Sequence, residues 1–148
     1  MRREVILPAN PLAPSRARRA LSEAIPPELD GRSGDAGLAL SEVVTNAIAH
    51  GGLRAGRDIV RLVIDASDDR VRVEVEQKSA TENARVVQPR SSPGGRIGGF
   101  GLGIVQATAD SWGVEEGPPG RVWFEFRCAQ DGGASGVLRA RGGPRTLR

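Results

Sequence analysis

The sequence predicts an α+β fold, a two-layer sandwich with helices packed on one face of a mainly antiparallel sheet. Three observations predict it. Helical periodicity dominates the first fifty residues, and a strand–turn–strand pattern occupies 59–75. A last apolar run, Val122-Trp123-Phe124-Glu125-Phe126, follows a further helical stretch, so helices and strands segregate as a layered sandwich requires. With 148 residues there is room for one domain of ordinary size and not for two.

Each element has its own justification. Val5-Ile6-Leu7 ends at Pro8 and reads as an edge strand, where a missing N–H costs least. Ala17, Leu21, Ala24 and Ile25 recur at helical spacing, with Ser15 placed to cap the helix and Pro26-Pro27 to stop it. Residues 28–34 hold Asp30, Gly31, Ser33 and Gly34 and are expected to form a loop before a second helix, which opens near Asp35 and closes at Gly51-Gly52. Ile59 to Ile64 form an apolar strand, Asp68-Asp69 a turn, and Val71, Val73 and Val75 the alternating return strand of a hairpin. Residues 78–98, with Pro89, Pro93, Gly94 and Gly95, are expected to be a long, lid-like loop. Leu102, Val105, Ala109 and Trp112 mark one face of a helix ending at Gly113. Pro118-Pro119-Gly120 then turns the chain into the final strand. The domain is expected to span 1–128, leaving 129–148 as a Gly/Arg-rich tail of disordered composition.

Composition narrows the function classes. The pI near 10.3 suggests nucleic acid at first sight, but the charge is not spread over the domain. Of 21 basic and 18 acidic residues, Arg139, Arg141, Arg145, Arg148 and Asp131 lie in the tail, so 1–128 is balanced and the tail carries the whole +3. A solvated terminus explains that excess better than a nucleic-acid arm. No apolar run approaches the roughly 18 residues that would cross a bilayer, and Pro8 and Asn10 interrupt any secretory signal. Cys128 is the one cysteine, so an internal disulfide or thiolate cluster is excluded and a reducing, cytoplasmic setting is expected.

Two stretches carry candidate chemistry. In the second helix Leu40, Val43, Val44, Ala47 and Ile48 form a core stripe, and Glu42, Asn46 and His50 stack one turn apart on a face expected to lie opposite it. Three polar residues by themselves describe the wet side of an amphipathic helix. Asparagine is nevertheless a poor helix former, and a mid-helix Asn46 makes more sense if its carbonyl oxygen meets a ligand such as Mg²⁺, with Glu42 one turn away as a general base. The second stretch, Gly98-Gly99-Phe100-Gly101-Leu102-Gly103-Ile104, opens a helix, where glycines permit close backbone approach and unpaired N–H groups attract phosphate. Its spacing fits neither a P-loop nor a dinucleotide fingerprint.

Together these residues resemble a known family. Leu38-Ala39-Leu40-Ser41-Glu42-Val43-Val44-Thr45-Asn46-Ala47-Ile48-Ala49-His50 is similar to the N-box of bacterial anti-sigma-factor serine kinases, whose catalytic module is a GHKL (Bergerat-type) ATPase. Gly99-Phe100-Gly101-Leu102-Gly103-Ile104-Val105 resembles that family's second glycine box, and Ala109-Asp110-Ser111-Trp112-Gly113-Val114 the signature that follows it. The resemblance runs from about residue 5 to 127 and implies an ATP–Mg²⁺ site between sheet, helix and lid. It makes Asn46 the metal ligand and Glu42 the base that activates a substrate serine. Gly99, Gly101 and Gly103, with Leu102 between them, would cradle the phosphates, while His50 receives no catalytic role. The implied partners are a STAS-type anti-anti-sigma protein bearing the serine and a sigma factor sequestered by a homodimer.

The sequence departs from the family in one place. Aligned on the hairpin's second strand, Gln77 occupies the position of the aspartate that receives the adenine amino group, and Ser79 that of the following glycine. A neutral amide in place of a carboxylate forfeits a charge-assisted hydrogen bond, about 1 to 3 kcal/mol or roughly tenfold to a hundredfold in affinity. A second expectation therefore stands beside the first, a module that keeps the fold and its protein partner with weak or no nucleotide binding.

Overall fold

The computed structural model describes residues 1–50, 53–78, 102–115 and 119–129 of the chain, the His50 side chain excepted. Five strands alternate with three α-helices: β1 (Arg2–Pro8), α1 (Ala13–Ser22), α2 (Ser33–His50), β2 (Ile59–Ser67), β3 (Arg70–Lys78), α3 (Leu102–Thr108), β4 (Ser111–Glu115) and β5 (Gly120–Arg127). A short 3₁₀ helix, Pro27–Arg32, lies between α1 and α2. The strands make one sheet in the order β1-β2-β3-β5-β4, with every neighbouring pair antiparallel. The expected two-layer α+β sandwich is what forms, and β1 is an edge strand as Pro8 required.

Alternation explains the layering. On β3 the odd-numbered Val71, Val73 and Val75 are buried, opposite Ala66, Ile64 and Leu62 of β2 and Phe126, Phe124 and Val122 of β5. Against this apolar face α2 lays Ala36, Ala39, Leu40, Val43, Val44 and Ala47, all at most 2% exposed. Small residues dominate where α1 meets α2, with Ala13, Ala17 and Ala20 of α1 buried in the same core. Burying a dozen such side chains at roughly 1.5 to 3 kcal/mol each supplies the main folding force.

The opposite face of the sheet is charged, and the charges interlock. Arg61 bonds Glu4 at 2.7 Å and Glu76 at 2.8 Å, and Arg121 bonds Glu76 at 2.9 Å and Glu74 at 3.1 Å. Arg72 continues the chain to Glu74 at 3.0 Å and sits 4.0 Å over the Trp123 ring. Antiparallel register places Glu76 directly between Arg61 and Arg121, so the network follows from strand pairing.

Four expectations need correction. Helix α1 begins at Ala13 with Pro14 in its first turn, and Ser15 lies inside the helix, its hydroxyl donating back to the Leu12 carbonyl at 2.9 Å. Asn10 does the local work instead, its side-chain oxygen accepting from the Leu12 N–H at 2.9 Å. Part of the expected loop 28–34 is the 3₁₀ helix, which buries Leu29. The face of α2 opposite the core centres on Leu38, Thr45 and Ala49, all exposed, while Glu42 and Asn46 are half-buried flanks. Four residues overshoot a 3.6-residue turn by about 40°, so the 42–46 row winds toward the core.

The largest correction concerns the third helix, which ends at Thr108. Trp112 and Val114 alternate into the core from β4, and the spacing 102-105-109-112 only mimics a longer helix. Gly113 faces the other way, against Trp123, where a Cβ would come 2.7 Å from the indole nitrogen. Of the expected lid 78–98, Lys78 ends β3 and 79–98 lie outside the described residues, as does the expected tail 129–148 from residue 130 onward. Among the described residues, no helix is long and apolar enough to cross a membrane.

Candidate functional site

The candidate residues lie on α2 and on β3 and α3, two elements that α2 packs against. Glycine-free and regular from Leu38 onward, α2 holds Glu42 and Asn46 on successive turns, both half-buried. Ser41, which precedes Glu42, is not part of the site. Its hydroxyl donates to the Gly37 carbonyl at 2.8 Å and accepts from Arg18 of α1 at 3.1 Å, so it ties two helices together.

Two atoms distinguish this region. Among the described residues, three buried side-chain polar atoms lack a hydrogen-bond partner: Asn46 Nδ2, Gln77 Oε1 and Arg121 Nε. Arg121 Nε is compensated electrostatically, since Glu115 lies 3.6 Å away and the other guanidinium nitrogens are bonded to Glu74 and Glu76. Asn46 and Gln77 have no such compensation. An unsatisfied buried amide atom costs about 1 to 3 kcal/mol, which a bound polar ligand recovers.

Gln77 also occupies an unusual row. It continues Val71, Val73 and Val75 on the helix-facing side of β3, pairs with Val60 and Gly120, and is only 6% exposed. Glu76, the neighbouring carboxylate, points to the other face and is held there by Arg61 and Arg121. No bulge shifts the register, so Glu76 cannot take the place of the missing aspartate.

Of the remaining sequence candidates, Leu102 is buried at the first position of α3 and Gly103 is exposed beside it. Gly99 and Gly101 lie outside the described residues, as does Ser79. No cluster of three histidine, cysteine or acidic residues able to hold a metal occurs among the described residues. A Mg²⁺ carried by nucleotide phosphates needs no such cluster, because phosphate oxygens and water complete its octahedron around one or two protein ligands. The half-buried Asn46 fits that requirement.

Residues 7–123 match the sequence model of the histidine kinase-like ATPase domain. The chain belongs to that family. Among solved structures, this ATPase domain is similar to the histidine kinase domain from Erythrobacter litoralis EL346 blue-light activated histidine kinase, at 23% identity and a TM-score of 0.49. The match covers 83% of this chain and 62% of that one, so the ATPase domain spans less than two thirds of the kinase domain it matches. No curated protein matches the chain.

Sequence reasoning missed the side chain that braces the joint between α3 and β4. Arg32, at the end of the 3₁₀ helix, donates to Asp110 Oδ2 and to the Thr108 carbonyl, each at 2.6 Å, and to the Arg127 carbonyl at 3.1 Å. Its guanidinium lies 4.7 Å above the Phe126 ring. Asp110 in turn accepts the Arg127 N–H at 2.7 Å, and its own N–H bonds the Glu125 carbonyl at 2.9 Å. The Ala-Asp-Ser-Trp-Gly signature is thus the joint that ends α3 and starts β4. The aspartate just after a helical run was the available signal.

Proposed function

We propose that this ATPase domain binds ATP with Mg²⁺ between α2 and the end of β3, and phosphorylates a serine of a STAS-type anti-anti-sigma protein. The same surface would sequester a sigma factor, with the domain acting as a cytoplasmic, homodimeric regulator of transcription. The observation that carries the nucleotide reading is the pair of buried, uncompensated amide atoms among the described residues, Asn46 Nδ2 and Gln77 Oε1. The family supports ATP as the ligand, and the N-box resemblance supports the serine kinase.

Each residue has a defined task. Asn46 holds the metal through its side-chain oxygen, and Gln77 receives the purine. Bound ATP supplies the transferable γ-phosphoryl group, whose charge Mg²⁺ neutralises. Glu42 accepts the proton of the attacking serine hydroxyl, a role its half-buried position beside Asn46 allows. By the family resemblance, Gly99, Gly101 and Gly103 would cradle the phosphates.

The test is transfer of ³²P from ATP to a cognate anti-anti-sigma protein. Wild-type chain transfers label, and Glu42→Ala loses it while retaining ATP affinity. A second reading, a partner-binding module without nucleotide, draws on Gln77 itself, whose neutral amide binds the adenine amino group less strongly than a carboxylate. Absence of calorimetric heat with millimolar ATP and Mg²⁺ favours that reading and eliminates the kinase.

A further inference from the structure

We infer that the turn Arg54-Ala55-Gly56-Arg57, with Lys78 beside it, is a docking point for an extended acidic segment of a partner protein, one carrying carboxylates at alternate positions. Such docking requires no bound nucleotide and is separate from the reading above.

A buried aspartate builds the turn. Asp58, 3% exposed, accepts the Arg54 N–H on Oδ2 at 2.5 Å. The Arg57 and Asp58 N–H groups both donate to the Arg54 carbonyl, at 3.2 and 3.0 Å, and the Asp58 carbonyl accepts the Ala9 N–H at 3.1 Å, which roots the turn beside the end of β1. Gly56 takes a φ of +79°, as the third position of a type II turn requires. The shape so fixed presents two arginines with only a methyl group and a glycine between them. All four residues are exposed, and neither guanidinium has a hydrogen-bond or ion-pair partner among the described residues. Lys78, which pairs with Ile59 one residue beyond Asp58, is exposed at the same end of the sheet. Glu4, an acid its field reaches, is already hydrogen-bonded to Arg61.

Elsewhere the cations are matched. On the charged face of the sheet Arg61, Arg70, Arg72, Arg121 and Arg127 are each paired with a carboxylate. The segments outside the described residues are a poor source of counter-charge for the turn, since by sequence they hold Glu82, Glu116 and Asp131 against seven arginines. An anion from another molecule is the better counterpart, and the turn's dimensions select its kind. A hydrogen-bonded four-residue turn keeps its first and last Cα atoms within about 7 Å. Side chains two residues apart on an extended segment stand about 6.6 Å apart on one face, so each guanidinium can take one carboxylate in a bidentate pair. Nucleic acid fits less well. Three cations fall short of the roughly six to ten phosphate contacts that give duplex binders their steep salt dependence. The described aromatic rings, which could stack on bases, belong to β4 and β5 and lie beyond β3 from the turn.

The test is fluorescence anisotropy of a labelled peptide alternating Glu and Ser over about nine residues, titrated with the full chain at about 50 mM salt. Wild type is compared with Arg54→Gln/Arg57→Gln and with Arg139→Gln/Arg141→Gln, which removes the same charge from the tail, and thermal denaturation confirms that each variant folds. Wild type should bind, the turn variant should bind about tenfold more weakly or worse, and the tail variant should stay within about twofold of wild type. Absence of binding by wild type overturns the inference. A loss in the turn variant no larger than in the tail variant overturns it too, by showing attraction to net charge alone. Tighter, turn-dependent binding of a single-stranded oligonucleotide of equal charge assigns the turn to nucleic acid and likewise overturns it.

Discussion

Replacing Arg32 by alanine tests whether the joint between α3 and β4 is held from outside the sheet. The guanidinium makes three hydrogen bonds, at 2.6, 2.6 and 3.1 Å, and covers the face of a fully buried Phe126. It is 31% exposed and Asp110 40%, so the ionic part is screened and counts for little beyond an ordinary hydrogen bond. Three such bonds contribute about 1 kcal/mol each in partly buried surroundings, and the stacking on Phe126 about 0.5 to 1 kcal/mol. Some of that is recovered when water reaches the freed carbonyls, leaving a net loss of about 2 to 3 kcal/mol. Urea denaturation of the full chain measures it, with Arg3→Ala as the control. Arg3 pairs only with Glu23, both about half exposed, and should cost no more than about 0.5 kcal/mol. If Arg32→Ala costs no more than the control, the joint is self-supporting and the reasoning is wrong.

Three other outcomes are expected. Asn46→Leu should stabilise the nucleotide-free chain by about 1 kcal/mol, removing an unpaired buried N–H and a poor helix former, while abolishing Mg²⁺-dependent nucleotide binding; a destabilised variant in urea denaturation would contradict the assignment of that amide to a ligand. Gly113→Ala should cost about 1 to 3 kcal/mol, because its Cβ would stand 2.7 Å from the Trp123 indole nitrogen, and Trp123 is itself pinned beneath Arg72; a shift in melting temperature of less than a degree argues against the close approach. Arg61 hydrogen bonds hold the Glu4 carboxyl below its ordinary value of 4.5, so this pairing stabilises the fold above that pH and its contribution disappears as pH falls through the lowered value. Glu4→Gln should therefore lose less urea resistance on acidification than wild type does, and parallel acid profiles would exclude the pairing.

How far the sequence could be read depended on which interactions were local. Val71, Val73 and Val75 announced β3 because a two-residue period has one cause, a strand with one buried face. The α2 stripe was equally direct, since Leu40, Val43, Val44 and Ala47 all reach the core. Trp112 misled for the opposite reason. Its distance from Ala109 suits a helix, and although Asp110 between them was a signal, its partners Arg32, 78 positions away, and the Arg127 N–H are set by the tertiary fold. Ser15 likewise had the composition of a cap, but Pro14 is compatible only with the first turn and set the helix start earlier. For the candidate site, residue types singled out Glu42 and Asn46 and the family resemblance singled out Gln77, but burial was not readable. The approach of α2 to the sheet, and hence which flank of the helix is covered, is a tertiary property.

The contrast between residues 76 and 77 bears on what this pocket is for. The two side chains are adjacent, both nearly buried, and separated only by the alternation of a strand. Glu76 is fully paired, and its position is explained by the arginines that flank it in register. Gln77 continues a row of valines where one more valine would bury its side chain without loss, yet it brings a polar oxygen that nothing in the described fold satisfies. Folding alone gives no reason for that choice, since the isolated oxygen costs about 1 to 3 kcal/mol. Asn46 repeats the pattern on α2, a helix that packs against β3. Two uncompensated amides on neighbouring elements are better explained by one shared ligand than by two independent defects, and a ligand that donates to Gln77 Oε1 and offers an acceptor such as a phosphate oxygen to Asn46 Nδ2 relieves both.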